Sequence, residues 1–339
     1  MTIRVGLMGF GRIGRDLFRL LYDHDDIRIA AVNDIADPKG LEYLLKFDTI
    51  QGRFPTEVSV HGGHLYVDGR QIPLLSEPRE ENVAWGALGV DVVIEATGKP
   101  VKRSQVERHL ENGASRVLLC VPPEDPPDIT VVMGVNDDRL TADHRIVSNG
   151  SCTAHAIGPV IKILHNAFGI ERAFLSTVHA YTNQQRLADV PSVDKRRGRA
   201  AAENIIPQAS SAADVVMELV PELQGRIQGM AMNVPVPNGS IVDLVCWHEK
   251  SISQTAINEV IRTAAAGSYA GILGYEDDPI VSSDILQSPF SGTFDAPGTM
   301  VLGDKVSKTL TWFDNSWGYT NRVVDLLKRF AELEKEANQ

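Results

Sequence analysis

The chain has little cysteine, no long apolar run and no excess of positive charge, and each shortage excludes something. Its 339 residues include three cysteines, Cys120, Cys152 and Cys246. None forms a Cys-x-x-Cys pair, so neither a zinc site nor a redox dithiol is signalled, and no metal is expected. The low count fits a reducing compartment. No stretch reaches the roughly 18 apolar residues of a membrane span. Residues Met1–Gly6 lack the apolar core of a secretory leader, so the reading is a cytoplasmic protein. Lys and Arg number 33 against 44 Asp and Glu, a net charge of −11. That balance argues against nucleic acid and membrane surfaces as partners. It leaves room for a local anion site built from a few arginines.

What is present is an ordinary globular core, with 43% hydrophobic residues, in a chain long enough for about two domains. Apolar runs at Ile3–Leu7, Ile27–Val32, Asp91–Glu95, Arg116–Val121, Thr130–Met133 and Arg145–Ser148 read as strands. Helical spacing follows several of them, as at Arg12–Tyr22 and Val101–Asn112. Such alternation predicts a parallel sheet with helices on both faces. Residues 57–76, with Gly62-Gly63 and Asp68-Gly69 turns, read as a small hairpin insertion. In the second half a helix is predicted from Cys152 to about Phe168. Strands follow at Arg172–Val178, ending at His179, and at Met230–Val234, Ser240–His248 and Lys308–Phe313. A mixed, largely antiparallel sheet is the simplest reading. The polar, arginine-rich arm 181–206 lacks periodicity, and Arg322–Ala337 reads as an amphipathic helix.

Two motifs carry chemistry. Gly9-Phe10-Gly11-Arg12-Ile13-Gly14 matches G-x-G-x-x-G, between a predicted strand and a predicted helix. The glycines permit a tight turn and close approach of a pyrophosphate to a helix N-terminus. Asp34 follows about 20 residues later, where a carboxylate binds the ribose hydroxyls and disfavours a 2′-phosphate, so NAD is the expected cofactor. A ligand-free glycine turn is the bland alternative, and Asp34 speaks against it. The second motif is Ser148-Asn149-Gly150-Ser151-Cys152-Thr153, a strand giving way to a helix. A cysteine at a helix start sees unpaired N–H groups and the positive end of the dipole, which favour a nucleophilic thiolate. His179 could supply a base. Nucleophile, base and hydride acceptor together point to oxidation of an aldehyde through a thioester. A buried structural cysteine is the alternative for Cys152; Cys120 and Cys246, in strand-like runs, read as core.

Residues Gly9–Arg15, Ser148–Thr153, Thr177–Thr182, Asn204–Pro207, Val234–Leu244 and Asp314–Val324 resemble, in order, the phosphorylating glyceraldehyde-3-phosphate dehydrogenase family. The resemblance implies an α/β fold: a Rossmann-type NAD-binding domain over 1–150 and an α+β catalytic domain over 151–317. The C-terminal helix, 318–339, packs back onto the first. It implies a cytoplasmic homotetramer taking a small aldehyde and inorganic phosphate. Cys152 becomes the nucleophile and His179 the base. Gly9, Phe10, Gly11, Arg12, Ile13, Gly14, Asp34, Thr97 and Gly98 are placed with the cofactor. Asn315 holds the nicotinamide amide, Tyr319 packs nearby, and Pro191 matches a position associated with NAD preference. The attacking-phosphate site maps onto Ser151, Thr153, Arg197, Ser210 and Ser211. The substrate's own phosphate maps onto Thr182 and Asn233.

The chain departs from the family pattern at several positions. Asn233 stands where an arginine is usual, replacing a charged bidentate clamp with a neutral amide. Met8, Ala154, His155, Ala156, Gln184, Asp214 and Ser316 also differ. Two enzymatic readings follow: glyceraldehyde 3-phosphate oxidation, or a paralogue acting on a different aldehyde, phosphorylated elsewhere or not at all, by the same chemistry. A non-catalytic nucleotide-binding protein on this scaffold is a third reading, opposed by the retention of Cys152, His179 and Thr153. His155 reads as a hydrogen-bonded structural histidine rather than a second base or a metal ligand. Lys195–Arg199 reads as an anion site and subunit contact rather than a nucleic-acid patch.

Overall fold

The computed structural model describes residues 2–337; Met1 of the first expected domain and residues 338–339 of the expected C-terminal helix lie outside them. The chain divides into two compact units. One comprises Met1–Val131, Arg139–Gly150 and Thr320–Gln339; the other comprises Val132–Asp138 and Ser151–Tyr319.

In the first unit the strands are β1 (Ile3–Met8), β2 (Ile27–Asn33), β3 (Phe47–Asp48), β4 (Gly52–Arg53), β5 (Val58–His61), β6 (His64–Val67), β7 (Arg70–Leu75), β8 (Val92–Glu95), β9 (Arg116–Leu119), β10 (Ile129–Thr130) and β11 (Ile146–Ser148). Helices α1 (Arg12–Leu21), α2 (Pro38–Lys46) and α3 (Arg103–Glu111) connect them. Nine strands form one sheet in the order β10-β11-β9-β8-β1-β2-β7-β6-β5. Pairing is parallel from β10 through β7 and antiparallel from β7 to β5. The inner parallel strands β1, β2, β8, β9 and β11 are largely buried on both faces, so their sequences are near-continuous apolar runs rather than alternating ones. Gly6 leaves room for the Trp85 ring, which a Cβ there would meet at 2.5 Å.

Residues 57–76 form the expected hairpins, β5–β6 and β6–β7, and because β7 pairs with β2 they extend the main sheet. Two expectations need correction here. The strand expected at Thr130–Met133 stops at Thr130, and Val131, Val132 and Met133 are buried in turn and irregular chain. That apolar run signals burial, which periodicity cannot distinguish from a strand. Cys120 lies just beyond β9 and is only half-buried, so it is not a core residue.

The second unit contains β12 (Ile170–Ala180), β13 (Ile206–Ala209), β14 (Ile227–Val234), β15 (Ser240–His248), β16 (Leu273–Glu276), β17 (Gly292–Leu302) and β18 (Val306–Phe313), with helices α4 (Cys152–Phe168), α5 (Ala212–Leu219) and α6 (Gln254–Ala266). The sheet order is β13-β14-β12-β15-β18-β17-β16. β14 and β12 are parallel, as are β16 and β17; the other pairs are antiparallel. β12 begins two residues earlier than expected and runs one residue past His179, to Ala180.

Period-two alternation sorts the sheet's faces. Ala173 and Leu175 of β12 and Val242, Leu244 and Cys246 of β15 join α4, α5 and α6 in one buried core. Phe174, between them, is 55% exposed on the opposite face, and Met230 of β14 is 41% exposed. Thr177 and Ala231 are opposite each other in the parallel register, as are His179 and Asn233 two residues on. Both pairs fall on the face that α4 covers. The helix α7 (Trp317–Ala337) starts in the second unit, and from Thr320 it belongs to the first, where Arg116 lies over the Phe330 ring at 5.3 Å. No helix among the described residues is long and apolar enough to cross a membrane.

Candidate active site

In the first unit the glycine turn joins β1 to α1. Gly9 adopts φ +99°, and a Cβ there would meet the Ala96 carbonyl carbon at 2.6 Å. Gly14 is held tighter: a Cβ would stand 2.2 Å from the Gly9 carbonyl oxygen. Gly11 caps α1 without a side-chain hydrogen bond and has open space where its Cβ would be. A helix start with no side-chain cap and no Cβ in the way is what close approach of a pyrophosphate requires. Asp34 follows the last residue of β2, and its Oδ2 accepts from the Phe10 N–H at 2.7 Å while Oδ1 accepts from Ala36 N–H at 2.9 Å. The carboxylate is thus fixed beside the turn and keeps acceptor capacity for hydroxyls. Arg12 and Ile13 form the first turn of α1. At the end of β8, Thr97 donates through both its N–H and its hydroxyl to Glu95 Oε1, and Gly98 has φ +76° with open space at its Cβ position. These residues fit a dinucleotide. Met8, at the unusual position before the motif, is buried, and its Sδ accepts from Asn33 Nδ2 at 3.1 Å.

In the second unit Cys152 is the first residue of α4. Ser151 caps the helix through Oγ, which accepts from Ala154 N–H at 3.1 Å. This leaves the thiol in the first turn, half-buried, with Sγ 3.6 Å from His179 Nε2. His179 Nδ1 lies 2.6 Å from the Ala180 carbonyl oxygen. A carbonyl only accepts, so Nδ1 carries the proton and the Nε2 lone pair faces sulfur. The pair has the geometry of a nucleophile and its base. Phe313 packs edge-on to the imidazole, with ring centroids 5.9 Å apart. Cys246 is the contrasting case: fully buried in β15, its thiol is pushed up to about 12 by burial alone.

The anion-site residues occupy varied settings. Thr153 is buried in the first turn of α4. Thr182 donates its hydroxyl to Gln185 Oε1 at 3.0 Å. Asn233 is 2% exposed and donates through Nδ2 to the Ala180 carbonyl at 3.1 Å. Arg197 lies in an exposed turn of the arm, 3.5 Å from Asp194, and Arg199 pairs with Asp189 at 2.9 Å. Ser210 accepts from Ala212 N–H at 3.3 Å, and Ser211 precedes α5 without capping it through its side chain. Asn315 is buried and accepts at Oδ1 from the Ser240 hydroxyl at 3.3 Å. Tyr319 is buried edge-on to His155, with centroids 6.0 Å apart. Pro191 lies in the exposed arm. Among the described residues no group of three or more His, Cys, Asp or Glu is placed to hold a metal.

Sequence reasoning missed Ala180 and Ser240. Ser240 accepts from the Ala180 N–H at 3.0 Å while donating to Asn315, so it links the histidine strand to the asparagine loop. A backbone carbonyl leaves no side-chain signal, and Ser240 reads as an ordinary first residue of a strand. Asp314 was noticed only as part of a motif. Its Oδ1 accepts from Ser316 and Trp317 N–H groups and its Oδ2 from Asn238 and Gln287, which fixes the loop carrying Asn315.

Comparison with known proteins gives the same picture along the whole chain. The family model for the glyceraldehyde 3-phosphate dehydrogenase NAD binding domain matches residues 3–103, and that for the C-terminal domain matches residues 151–315. The Geobacillus stearothermophilus glyceraldehyde-3-phosphate dehydrogenase is 47% identical over 96% of this chain and 97% of its own. The Streptomyces coelicolor enzyme of that name is 49% identical over 96% and 98%, and glyceraldehyde-3-phosphate dehydrogenase 1 of Bacillus subtilis is 44% identical over 98% and 99%. With a dinucleotide cradle in one unit, a cysteine–histidine pair in the other and these matches across both, the chain belongs to the glyceraldehyde 3-phosphate dehydrogenase family.

Proposed function

We propose that this protein oxidises glyceraldehyde 3-phosphate to 1,3-bisphosphoglycerate with NAD and inorganic phosphate, through a thioester on Cys152. The single observation that carries the reading is the 3.6 Å contact between Cys152 Sγ and His179 Nε2 in a chain of this family. Sγ attacks the aldehyde carbon as Nε2 takes the thiol proton and hands it to the former carbonyl oxygen, so a thiohemiacetal forms and Nε2 is free again. His179 then serves the hydroxyl of that adduct, accepting its proton as the carbon is oxidised. NAD, when bound, supplies the hydride acceptor. Phosphate oxygen attacks the resulting thioester carbon, the C–S bond breaks, and the thiolate is regenerated with an acyl phosphate as product.

In this reading Gly9–Gly14, Asp34, Thr97 and Gly98 hold the cofactor, with Asn315 and Tyr319 serving its nicotinamide. Ser151, Thr153, Arg197, Ser210 and Ser211 receive the attacking phosphate, and Thr182 serves the substrate's phosphate. Asn233, at the position expected to complete that site, is buried with its amide bonded to the Ala180 carbonyl, and it brings no charge there. The protein works in the cytoplasm as a homotetramer, for which the exposed apolar residues Phe174 and Met230 on the outer face of the second sheet offer contact surface. Sedimentation as a monomer at micromolar concentration would rule out that assembly.

Purified protein should reduce NAD in the presence of glyceraldehyde 3-phosphate and phosphate, and Cys152→Ser should abolish the reaction while leaving NAD binding intact. Faster turnover of unphosphorylated glyceraldehyde than of glyceraldehyde 3-phosphate would overturn the substrate. Absence of activity with any small aldehyde would overturn the enzyme.

A further inference from the structure

We propose that Asn233 is a positioning residue for His179, acting through the Ala180 carbonyl that both side chains share. The inference rests on the reading of Cys152 and His179 as nucleophile and base. Ala180 O accepts from His179 Nδ1 at 2.6 Å and from Asn233 Nδ2 at 3.1 Å. A carbonyl oxygen has two lone pairs, so both donors can be served at once. The same requirement fixes the amide orientation of Asn233, because only its NH2 can face an acceptor. Its Oδ1 is buried with no hydrogen-bond partner among the described residues, so the side chain is held at one end only, by this carbonyl.

The register explains how the two donors meet. His179 and Asn233 are direct neighbours on the parallel strands β12 and β14 and lie on the face that α4 covers. The peptides flanking Ala180 are pinned as well: its N–H donates to Ser240 Oγ at 3.0 Å, and the Tyr181 N–H donates to Val236 O at 3.0 Å. The carbonyl therefore cannot swing with the histidine. With Asn233 on its second lone pair, it keeps Nδ1 protonated and holds the ring plane, and so keeps the Nε2 lone pair on Cys152 Sγ. Asn233 never needs to touch the aldehyde to affect its oxidation.

The test uses the full-length protein with Asn233→Leu, of similar volume but without a donor, and Asn233→Thr, which keeps a hydroxyl donor on a side chain suited to a strand. The readouts are kcat, KM for glyceraldehyde 3-phosphate, and the rate of Cys152 alkylation by iodoacetamide at pH 7. Asn233→Leu should lower kcat about tenfold and slow alkylation in parallel with KM changed less than about twofold, as loss of base alignment requires. Asn233→Thr should recover part of both rates. Should the leucine variant fail to fold, a threonine variant that melts like the parent still decides: partial loss of kcat and alkylation supports the proposal. Unchanged kcat and alkylation in the folded leucine variant, or in the threonine variant where the leucine variant does not fold, would overturn it, as would a loss confined to KM, which would make Asn233 a substrate contact. A His179→Asn control separates the two layers. If it leaves alkylation and kcat intact, the histidine reading itself fails; if it lowers both while the Asn233 variants do not, only the positioning role fails.

Discussion

In the first unit the cofactor cradle is nearly contiguous: six consecutive residues, Gly9–Gly14, with Asp34 bonded back to Phe10 N–H. In the second, Cys152, His179, Asn233 and Asn315 come from a helix start, two strands and a loop, joined by hydrogen bonds that span long stretches of sequence. A cradle made of backbone can be written as a short motif, because glycine is the residue that lets backbone approach backbone. A site made of side chains must wait for the sheet to bring them together. The first therefore fails through steric clash, and the second through misalignment.

Three perturbations test that contrast. His179→Asn should have the largest effect, lowering kcat by roughly 10²–10⁴-fold as removal of a general base does, while NAD affinity by calorimetry stays constant. A parallel fall in NAD affinity would show that the two sites are not separately encoded. Gly14→Ala comes next. Its methyl must displace the Gly9 carbonyl, which it would meet at 2.2 Å, so overpacking should cost about 2–3 kcal/mol and weaken NAD binding. Cys152 alkylation should be unaffected in protein that remains folded, and unchanged melting temperature and NAD affinity would refute the clash.

The smallest effect concerns Glu42 on α2. Burial alone would raise its pKa, but hydrogen bonds from Lys39, Lys46 and the Val60 N–H outweigh it and hold the carboxyl at about 2, down from 4.5. A carboxyl depressed in this way stabilises the fold above pH 4.5 and loses that contribution as pH falls toward 2. Because Lys39 is exposed and Lys46 half-buried, the contribution is discounted for solvent screening to about 1–2 kcal/mol. Glu42→Gln should lower denaturant-measured stability by this amount at pH 7 and flatten its decline between pH 5 and pH 2. An acid profile identical to the parent's would sink the assignment.

The same contrast governs how much could be read in advance. The alternation of β1, α1, β2 and β8 was legible because strands buried on both faces spell unbroken apolar runs. Cys152 was legible as a helix start because Ile157, Val160, Ile161, Leu164 and Phe168 recur behind it at helical spacing. The run at 131–133 misled because Val131 and Val132 are buried without being paired in a strand. β17 was missed because Pro297 and Gly298 interrupt it where its register with β18 shifts between Asp295 and Met300. Asn233 was legible only as an anomaly. What it bonds to, a carbonyl between an alanine and a tyrosine, has no letter in the sequence.

The contacts around Ala180 also bear on folding order. The bonds from Cys152 to His179, from Asn233 to Ala180 and from Ser240 to Asn315 close chain separations of 27, 53 and 75 residues. Closing such loops costs chain entropy before the contact repays it, so non-local pairings form late. A partly folded chain can display the nucleophile on α4 while its base has no fixed direction. On refolding, the return of activity is therefore expected to trail the return of helix and strand followed by circular dichroism, and simultaneous recovery would count against this order.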